Sequence, residues 1–472
     1  MNTPTAPPAE IRLNAWTGVE EAHGRLSAQA QWWGAGQAGM PQEQQVLEFH
    51  PEPALTEWWE PEVGYGVLIR DDETSGFTDA QKAAGADAPQ PVQDLLAARE
   101  GSVVLRWSPD AGLDDAHLRR YYADSPSNDP AIGLSDFGVA YGCLPKYIAI
   151  IGGPEAIPWS VQYSLGQRHA VGRIPLEGDA LNRYIQALIM DWQNATAVLD
   201  RALMWTVDGD VMTDLMRAVI SQPLATALSP PPLAAFREIV GAGATSGALS
   251  EALQAIRPGL VVTSSHGLVE PVEPNALRAT LGLPVDQNHV PVTVEQLSAD
   301  LPGGCVWFAQ ACCSAGGAGA SLYTTLLEPQ WTAAATVEAV ARCGPVVAPA
   351  AREVLGRENP VRAVLGHVEP TFSWTLQVGS TGQSLGGRIV TALSRRLYEG
   401  MPLALAFADY RADVAQLYYA WFTLQAQLSD DADEGVLDEM RRIRLASLDR
   451  QSLVLLGDPT VSLPPCRATA AP

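Results

Sequence analysis

The sequence predicts an α/β protein made of two doubly wound, mainly parallel sheets, each sandwiched between helices. Three observations predict it. Short apolar, β-branched runs of strand length recur from about residue 61 to residue 465. Helix-like segments separate them, as crossovers in a parallel sheet require. With 472 residues, 47% of them hydrophobic, the chain can also bury a large core, and its length points to two or three domains.

Taken in order, residues 1–9 read as disordered. Residues 10–60 hold a tryptophan-rich section (Trp16, Trp32, Trp33, Trp58 and Trp59) to which no element is assigned, so residues 1–60 form an N-terminal segment. A first α/β subdomain is expected over residues 61–199. Its strands are Gly66–Ile69, Ser102–Leu105, Lys146–Ile151 and a crossover strand within residues 167–177. Val92–Ala98 and the helix from Asp179 to about Leu199 complete it.

A second alternation spans residues 200–465, with a short tail at 466–472. Its expected strands are Ala202–Val207, Arg237–Val240, Gly259–Ser264, Cys305–Ala309, Gly344–Ala348 and Leu453–Leu456. The helices between them are Met212–Ile220, Ser246–Ile256 with Thr245 or Ser246 as N-cap, Thr336–Arg342 and Leu385–Glu399. Pro402–Leu428 is apolar and aromatic at helical spacing, which reads as packing surface. Ser429–Gly435 is acidic and loop-like before a last helix at Val436–Ser447.

Composition excludes several classes of function. A formal charge of −23 and a pI near 4.6 leave too few Lys and Arg for a basic face, so nucleic acid and anionic membrane surfaces are not expected partners. Six cysteines (143, 305, 312, 313, 343 and 466) show no CxxC spacing, which argues against zinc ribbons and disulfide scaffolds. The opening MNTPTAPPAE lacks a basic and apolar leader pattern, and no window approaches 18 uninterrupted apolar residues. A cytoplasmic protein with free thiols is the expectation, and no cofactor or metal is demanded.

Two motifs that look functional fail on context. Gly382-Gln383-Ser384-Leu385-Gly386 fits a nucleophile elbow, but that hydrolase order needs a His after the Ser, and the last His is His367. Gly34-Ala35-Gly36-Gln37-Ala38-Gly39 fits a dinucleotide fingerprint, but no convincing strand precedes it. The stronger signal is a pair of strands. Gly259–Ser265 ends on His266-Gly267, and Cys305–Ala309 runs into Gln310-Ala311-Cys312-Cys313 and a glycine-rich tail. Ligands and catalytic groups of such sheets collect at the carboxyl ends of strands, so His266 and Cys312 are candidates for a Cys–His dyad. Buried structural roles are the bland alternative, since Cys is often buried and a core His is commonly just hydrogen-bonded.

Ser264-Ser265-His266-Gly267 and Gln310-Ala311-Cys312, 46 residues from His to Cys against roughly 50 in caspases, resemble the motifs of caspase-like cysteine peptidases. The closer likeness is to gingipain-type peptidases and bacterial CHAT proteins. IAIIGGPEAIPW at 148–159, AVGRIP at 170–175, SLGGRIV at 384–390 and LLGDPTVSL at 455–463 agree with it in order, so it covers about residues 140–465. The resemblance implies two caspase-like subdomains with only the second catalytic.

In the roles it implies, the Cys312 thiolate attacks a peptide carbonyl, and His266 takes the thiol proton and later protonates the leaving amine. Backbone N–H groups of Cys312 and Gly267 form the oxyanion hole. Asp208 resembles the acid that orients the His. Asp210 or Asp214 resembles the acid that pairs with a P1 Arg or Lys, and Trp374 a wall of that pocket. Solvated aspartates in a turn and a packed Trp are the alternatives. Cys313 is the other possible nucleophile, and Cys313-Ser314 departs from the caspase continuation. The implied function is cysteine endopeptidase action on a protein substrate after Arg or Lys, in a bacterial immune or cell-death setting. The alternative is a latent or non-catalytic caspase-like module that waits for an activating or regulatory partner. Ca²⁺ ions accompany relatives of this kind.

Overall fold

Continuous apolar runs become strands buried on both faces, and they set the architecture. The computed structural model describes residues 53–464 except 73, 109–115, 230–232, 325, 379–380, 427 and 429–433. All of these lie in a unit that begins at Pro53. Trp16, Trp32 and Trp33, with the rest of the expected N-terminal segment up to residue 52, lie outside the described residues.

The strands are β1 (Tyr65–Arg70), β2 (Val103–Trp107), β3 (Tyr147–Ile151), β4 (Ala170–Ile174), β5 (Val198–Thr206), β6 (Ala235–Val240), β7 (Pro258–Ser264), β8 (Val306–Gln310), β9 (Gly316–Gly317), β10 (Val346–Val347), β11 (Ala363–His367) and β12 (Leu453–Gly457). Ten of them form one sheet in the order β2-β1-β3-β4-β12-β11-β8-β7-β5-β6, while β9 and β10 pair separately. All neighbours in the large sheet are parallel except β11 and β12. Every residue of β3, β4, β7, β8, β11 and β12 is buried. That is the environment parallel strands need when helices cover both faces.

The expected α/β class with a mainly parallel sheet is what the chain forms. The two expected alternations appear as two blocks of strands, β1–β4 and β5–β12, joined edge to edge. The join is narrow, one parallel pair between Leu456 of β12 and Arg173 of β4. Side chains reinforce it. Asp458, just past β12, accepts from Tyr65 Oη at 2.6 Å and from Arg99 Nη1 at 3.2 Å, and Tyr184 Oη donates to the Arg362 carbonyl at 2.7 Å.

One strand expectation and one helix expectation need correction. Residues 344–348 do not enter the large sheet, because Pro345 and Pro349 bracket the stretch. Only Val346–Val347 pair there, with Gly316–Gly317, and Pro349 opens a helix. The sheet position between β8 and β12 belongs instead to β11, Ala363–His367. The helix expected at 385–399 is broken into a short helix, a wide turn and a tight final turn. The question of N-cap at residue 245 or 246 resolves to Thr245, whose side chain accepts from Ala248 N.

Strand order places the functional crevice. From β5 the chain first moves outward to β6 and then returns to the other side as β7. The carboxyl ends of β5 and β7 therefore flank a topological switch point, where α/β sheets hold their ligands. The first block has the same kind of crevice beside β1 and β3. Among the described residues its walls include Arg70, Asp72, Asp87 and Glu177 and no Cys or His.

Candidate active site

Parallel pairing in register brings the site together. Ser264 at the end of β7 faces Gln310 at the end of β8. Ser264 Oγ donates to Gln310 Oε1 at 3.0 Å, and Trp307 Nε1 donates to Thr263 Oγ1 at 3.0 Å. The two strands are thus tied by side chains as well as backbone, and the residues that follow leave the sheet side by side.

His266 is held at both ends. Its carbonyl accepts from Val285 N at 3.0 Å and Ser265 Oγ at 2.9 Å, while its ring Nε2 lies 2.9 Å from Asp210 Oδ2. Asp210 is positioned in turn by the helix it caps, Val211–Met216. Its Oδ1 accepts from Met212 N at 2.8 Å and Thr213 N at 3.1 Å, and its own N–H donates to Thr213 Oγ1 at 3.2 Å. Partial burial opposes ionisation of this carboxyl, but the Thr213 N–H, the His266 ring, the Thr213 hydroxyl and the Met212 N–H together outweigh it. They hold it down at about 2. An ionised Asp210 accepting from Nε2 fixes the tautomer of His266. Nδ1 is left without a partner among the described residues.

Cys312 and His266 line the same cavity, of 220 Å³. The Cys312 thiol accepts from Thr371 N at 3.3 Å, and Thr371 Oγ1 stands 3.7 Å away. Burial pushes this thiol up from its ordinary value, and the Thr371 N–H and hydroxyl pull it only part of the way back. Cys313 is a different kind of residue. It is 0% exposed, packs among Leu277, Leu281, Val340 and Cys343, and donates its N–H to Glu369 O at 2.9 Å. Its backbone turns at φ +56, an uncommon conformation for a side-chain-bearing residue, and of the two neighbouring cysteines Cys312 lines the cavity while Cys313 belongs to the buried cluster.

Gly267 lies against this turn. A Cβ on Gly267 would come within 1.9 Å of the Cys312 carbonyl oxygen, so no other residue fits there. Among the described residues the backbone N–H groups of Gly267 and Cys312 donate to no other residue's backbone. Two such donors beside a thiol are what a developing oxyanion needs.

The remaining expected residues fall elsewhere. The carboxylate on His266 belongs to Asp210, whereas Asp208 Oδ2 accepts from Arg217 Nη1 at 2.7 Å and the Asp208 backbone is clamped by Gln287. The reason is local: Asp208, two residues past the end of β5, faces Gly241, while Asp210, two residues on, caps the helix. Asp214 is exposed on that helix and accepts from Gly209 N at 2.9 Å. Neither Asp208 nor Asp214 lines the Cys312 cavity. Trp374 lines a different cavity, with Leu385 and Asp413. Its neighbour Phe372, with ring centres 5.1 Å apart, is the aromatic wall beside Cys312.

Two residues that the sequence did not single out shape the cavity. Thr371 contacts the thiol, as described. Asp449, 0% exposed, accepts from Phe372 N at 2.9 Å, Thr375 N at 2.7 Å and Thr375 Oγ1 at 2.6 Å. It pins the turn that carries Thr371 and Phe372. Its one sequence signal is an acidic residue within the mostly buried last turn of helix Glu434–Gln451. His367 also lines the cavity, but burial pushes it down to about 3 and its Nδ1 is 2.9 Å from Ser452 Oγ, so it is a neutral wall.

Among the described residues no group of three or more His, Cys, Asp or Glu is placed to hold a metal, and no helix is long and apolar enough to cross a membrane. No family model matches the chain, and no curated protein matches it. Solved structures do. The crystal structure of the Arg-specific cysteine proteinase gingipain R is 12% identical, with a TM-score of 0.44 over 86% of this chain and 79% of that one. The complex of Porphyromonas gingivalis RgpB pro- and mature domains is 11% identical, with a TM-score of 0.46 over 85% and 80%.

Proposed function

We propose that the chain is a cysteine endopeptidase with Cys312 as nucleophile, His266 as general base and acid, and Asp210 as the residue that orients His266. The observation that carries this reading is the convergence of an exposed, carboxylate-bound His and a part-buried Cys on one cavity, at the carboxyl ends of adjacent parallel strands. In the first half-reaction the Cys312 S–H proton passes to Nδ1 of His266 and the sulfur attacks the scissile carbonyl carbon. Gly267 N–H and Cys312 N–H take the oxyanion. His266 then gives its proton to the leaving amine as the C–N bond breaks. Water, losing a proton to His266, cleaves the thioester, releases the carboxylic acid and restores the thiol.

The lining of the cavity bears on specificity. Its floor is Met212, Met216, Phe308, Phe372, Leu376 and Ile389, and among the described residues no Asp or Glu lines it. An Arg or Lys at P1, as expected from the sequence, would bury its charge there without a counter-ion, so we assign an uncharged, apolar P1 residue of Met or Leu size. The test is a peptide library with each residue type at P1, run with the wild type and Cys312→Ala. Apolar P1 peptides are cut by the wild type alone on this account. Cleavage confined to Arg or Lys, or full activity in the Cys312→Ala protein, contradicts it.

A second reading has its own support. The thiol is bonded to Thr371 and kept neutral by burial, which describes a resting site. A latent module released by a partner, acting on one dedicated protein substrate in a bacterial immune or cell-death setting, fits that state. It predicts that wild-type peptide cleavage rises when the partner is added.

A further inference from the structure

The chain just past β11 borders two cavities. His367 and Thr371 line the one beside Cys312, whereas Val368 and Glu369 line a second one, of 460 Å³. The second cavity is walled by the aromatic side chains of Trp159, Tyr163 and Tyr323, with the exposed Glu155 at its rim. It contains two unusual polar groups. Glu369 is 8% exposed, and its carboxylate accepts from Ser321 Oγ at 2.9 Å, with no cation in ion-pair range among the described residues. The Tyr323 hydroxyl is buried with no hydrogen-bond partner among the described residues, on a residue only 2% exposed. Burial pushes the Glu369 carboxyl up to about 7. Arg173 stacks on one face of Trp159 and spends its N–H groups on Gln162, Gly152 and Pro158.

A buried carboxylate without a counter-ion, inside aromatic walls, is an incomplete arrangement. The same parts recognise ammonium and guanidinium groups, which gain a charge partner and ring faces at once. Glu369 also touches the nucleophile turn through its backbone. Its carbonyl accepts from Cys313 N at 2.9 Å, its N–H donates to Gly316 O at 3.0 Å, and its φ is +72. Two residues later Thr371 N–H sits on the Cys312 sulfur. We propose that this cavity binds a small organic cation, an alkylammonium or guanidinium group seated against Glu369 between the Tyr163 and Tyr323 rings, and that its occupancy is felt at Cys312 through residues 369–371.

The first measurement is calorimetric titration of the full chain with agmatine. Saturable binding is expected, weakened about tenfold or more in Glu369→Gln and in Ala320→Trp, which crowds the exposed rim. Ala320→Trp decides the matter if Glu369→Gln fails to fold. No binding up to about 10 mM, or undiminished binding in the folded variants, overturns the site. A parallel titration with N-acetyl-arginine amide separates the sources: tighter binding than agmatine assigns the cavity to a basic side chain of a protein, weaker binding to a free amine. The second measurement is the rate of Cys312 alkylation by iodoacetamide with and without saturating agmatine. A change of about threefold or more is expected, and an unchanged rate overturns the coupling. Neither measurement uses peptide cleavage, so both stand whether or not the chain is a peptidase.

Discussion

Asp210 caps a helix and holds His266 at once because an ionised carboxylate offers about four lone-pair sites on two oxygens. One oxygen takes the Met212 and Thr213 N–H groups and the other takes Nε2 of His266. Asp208 has no such position and spends its charge on Arg217. Asp210→Asn therefore costs orientation and charge at the ring, and kcat/KM for the best library peptide falls by about 10- to 100-fold. Asp208→Asn leaves it within about threefold, as expected for a substitution outside the site. Equal losses in the two variants would show that the ring is not held as described. At this scale the sequence was partly readable. An acid shortly after β5 is visible in Asp208-Gly209-Asp210, but which one reaches the His depends on where strand stops and helix starts, a boundary that residue types blur. Cys312 and Cys313 were similarly ambiguous, because only the fold puts Cys312 on the cavity and Cys313 in the buried cluster.

Elements bring these residues together through close backbone approach. The loop after β7 presses Gly267 onto the Cys312 carbonyl, and Gly282, at φ +73, would place a Cβ within 2.1 Å of the Cys313 carbonyl oxygen. Gly267→Ala must push the Cys312 turn away. We expect a loss of activity on the order of 10²-fold, as misplacement by about 1 Å produces, with stability lowered by about 1 to 3 kcal/mol. Steady-state kinetics beside a urea melt measures both, and normal kinetics would remove Gly267 from the site. The glycine after His266 was legible as a position for close approach. The Thr371–Thr375 turn was not, because its placement depends on Asp449, which lies 74 residues beyond Thr375 in the chain. Strand β11 was missed for a related reason: Gly366 interrupts a short apolar run, and only its place between β8 and β12 makes it a strand.

Across the whole molecule, two blocks of strands share one sheet through a join that is weak in backbone terms and strong in side-chain terms. Asp458 is the centre of that join, with its side chain 0% exposed and bound to Tyr65, Arg99 and Thr460. Asp458→Ala leaves the Arg99 guanidinium largely buried without its partner, and such changes cost about 3 to 5 kcal/mol. A urea denaturation midpoint unchanged from the wild type would show that the join does not depend on this pair. The alternation of strands and helices announced the two blocks, because buried parallel strands need continuous apolar runs. Their fusion was not legible, because LLGDPTV at 455–461 reads as a strand and turn and says nothing about which strand lies beside it.

Activation of Cys312 by His266 is read out by covalent trapping. A peptidyl chloromethyl ketone with an apolar P1 residue is added to the wild type and to His266→Ala, and the modified residue is mapped by mass spectrometry. Alkylation of Cys312 and not Cys313 is expected, slowed about 10²- to 10⁴-fold when the ring is removed. Cys312 left unmodified in the folded wild type, or modified equally fast without His266, would contradict it.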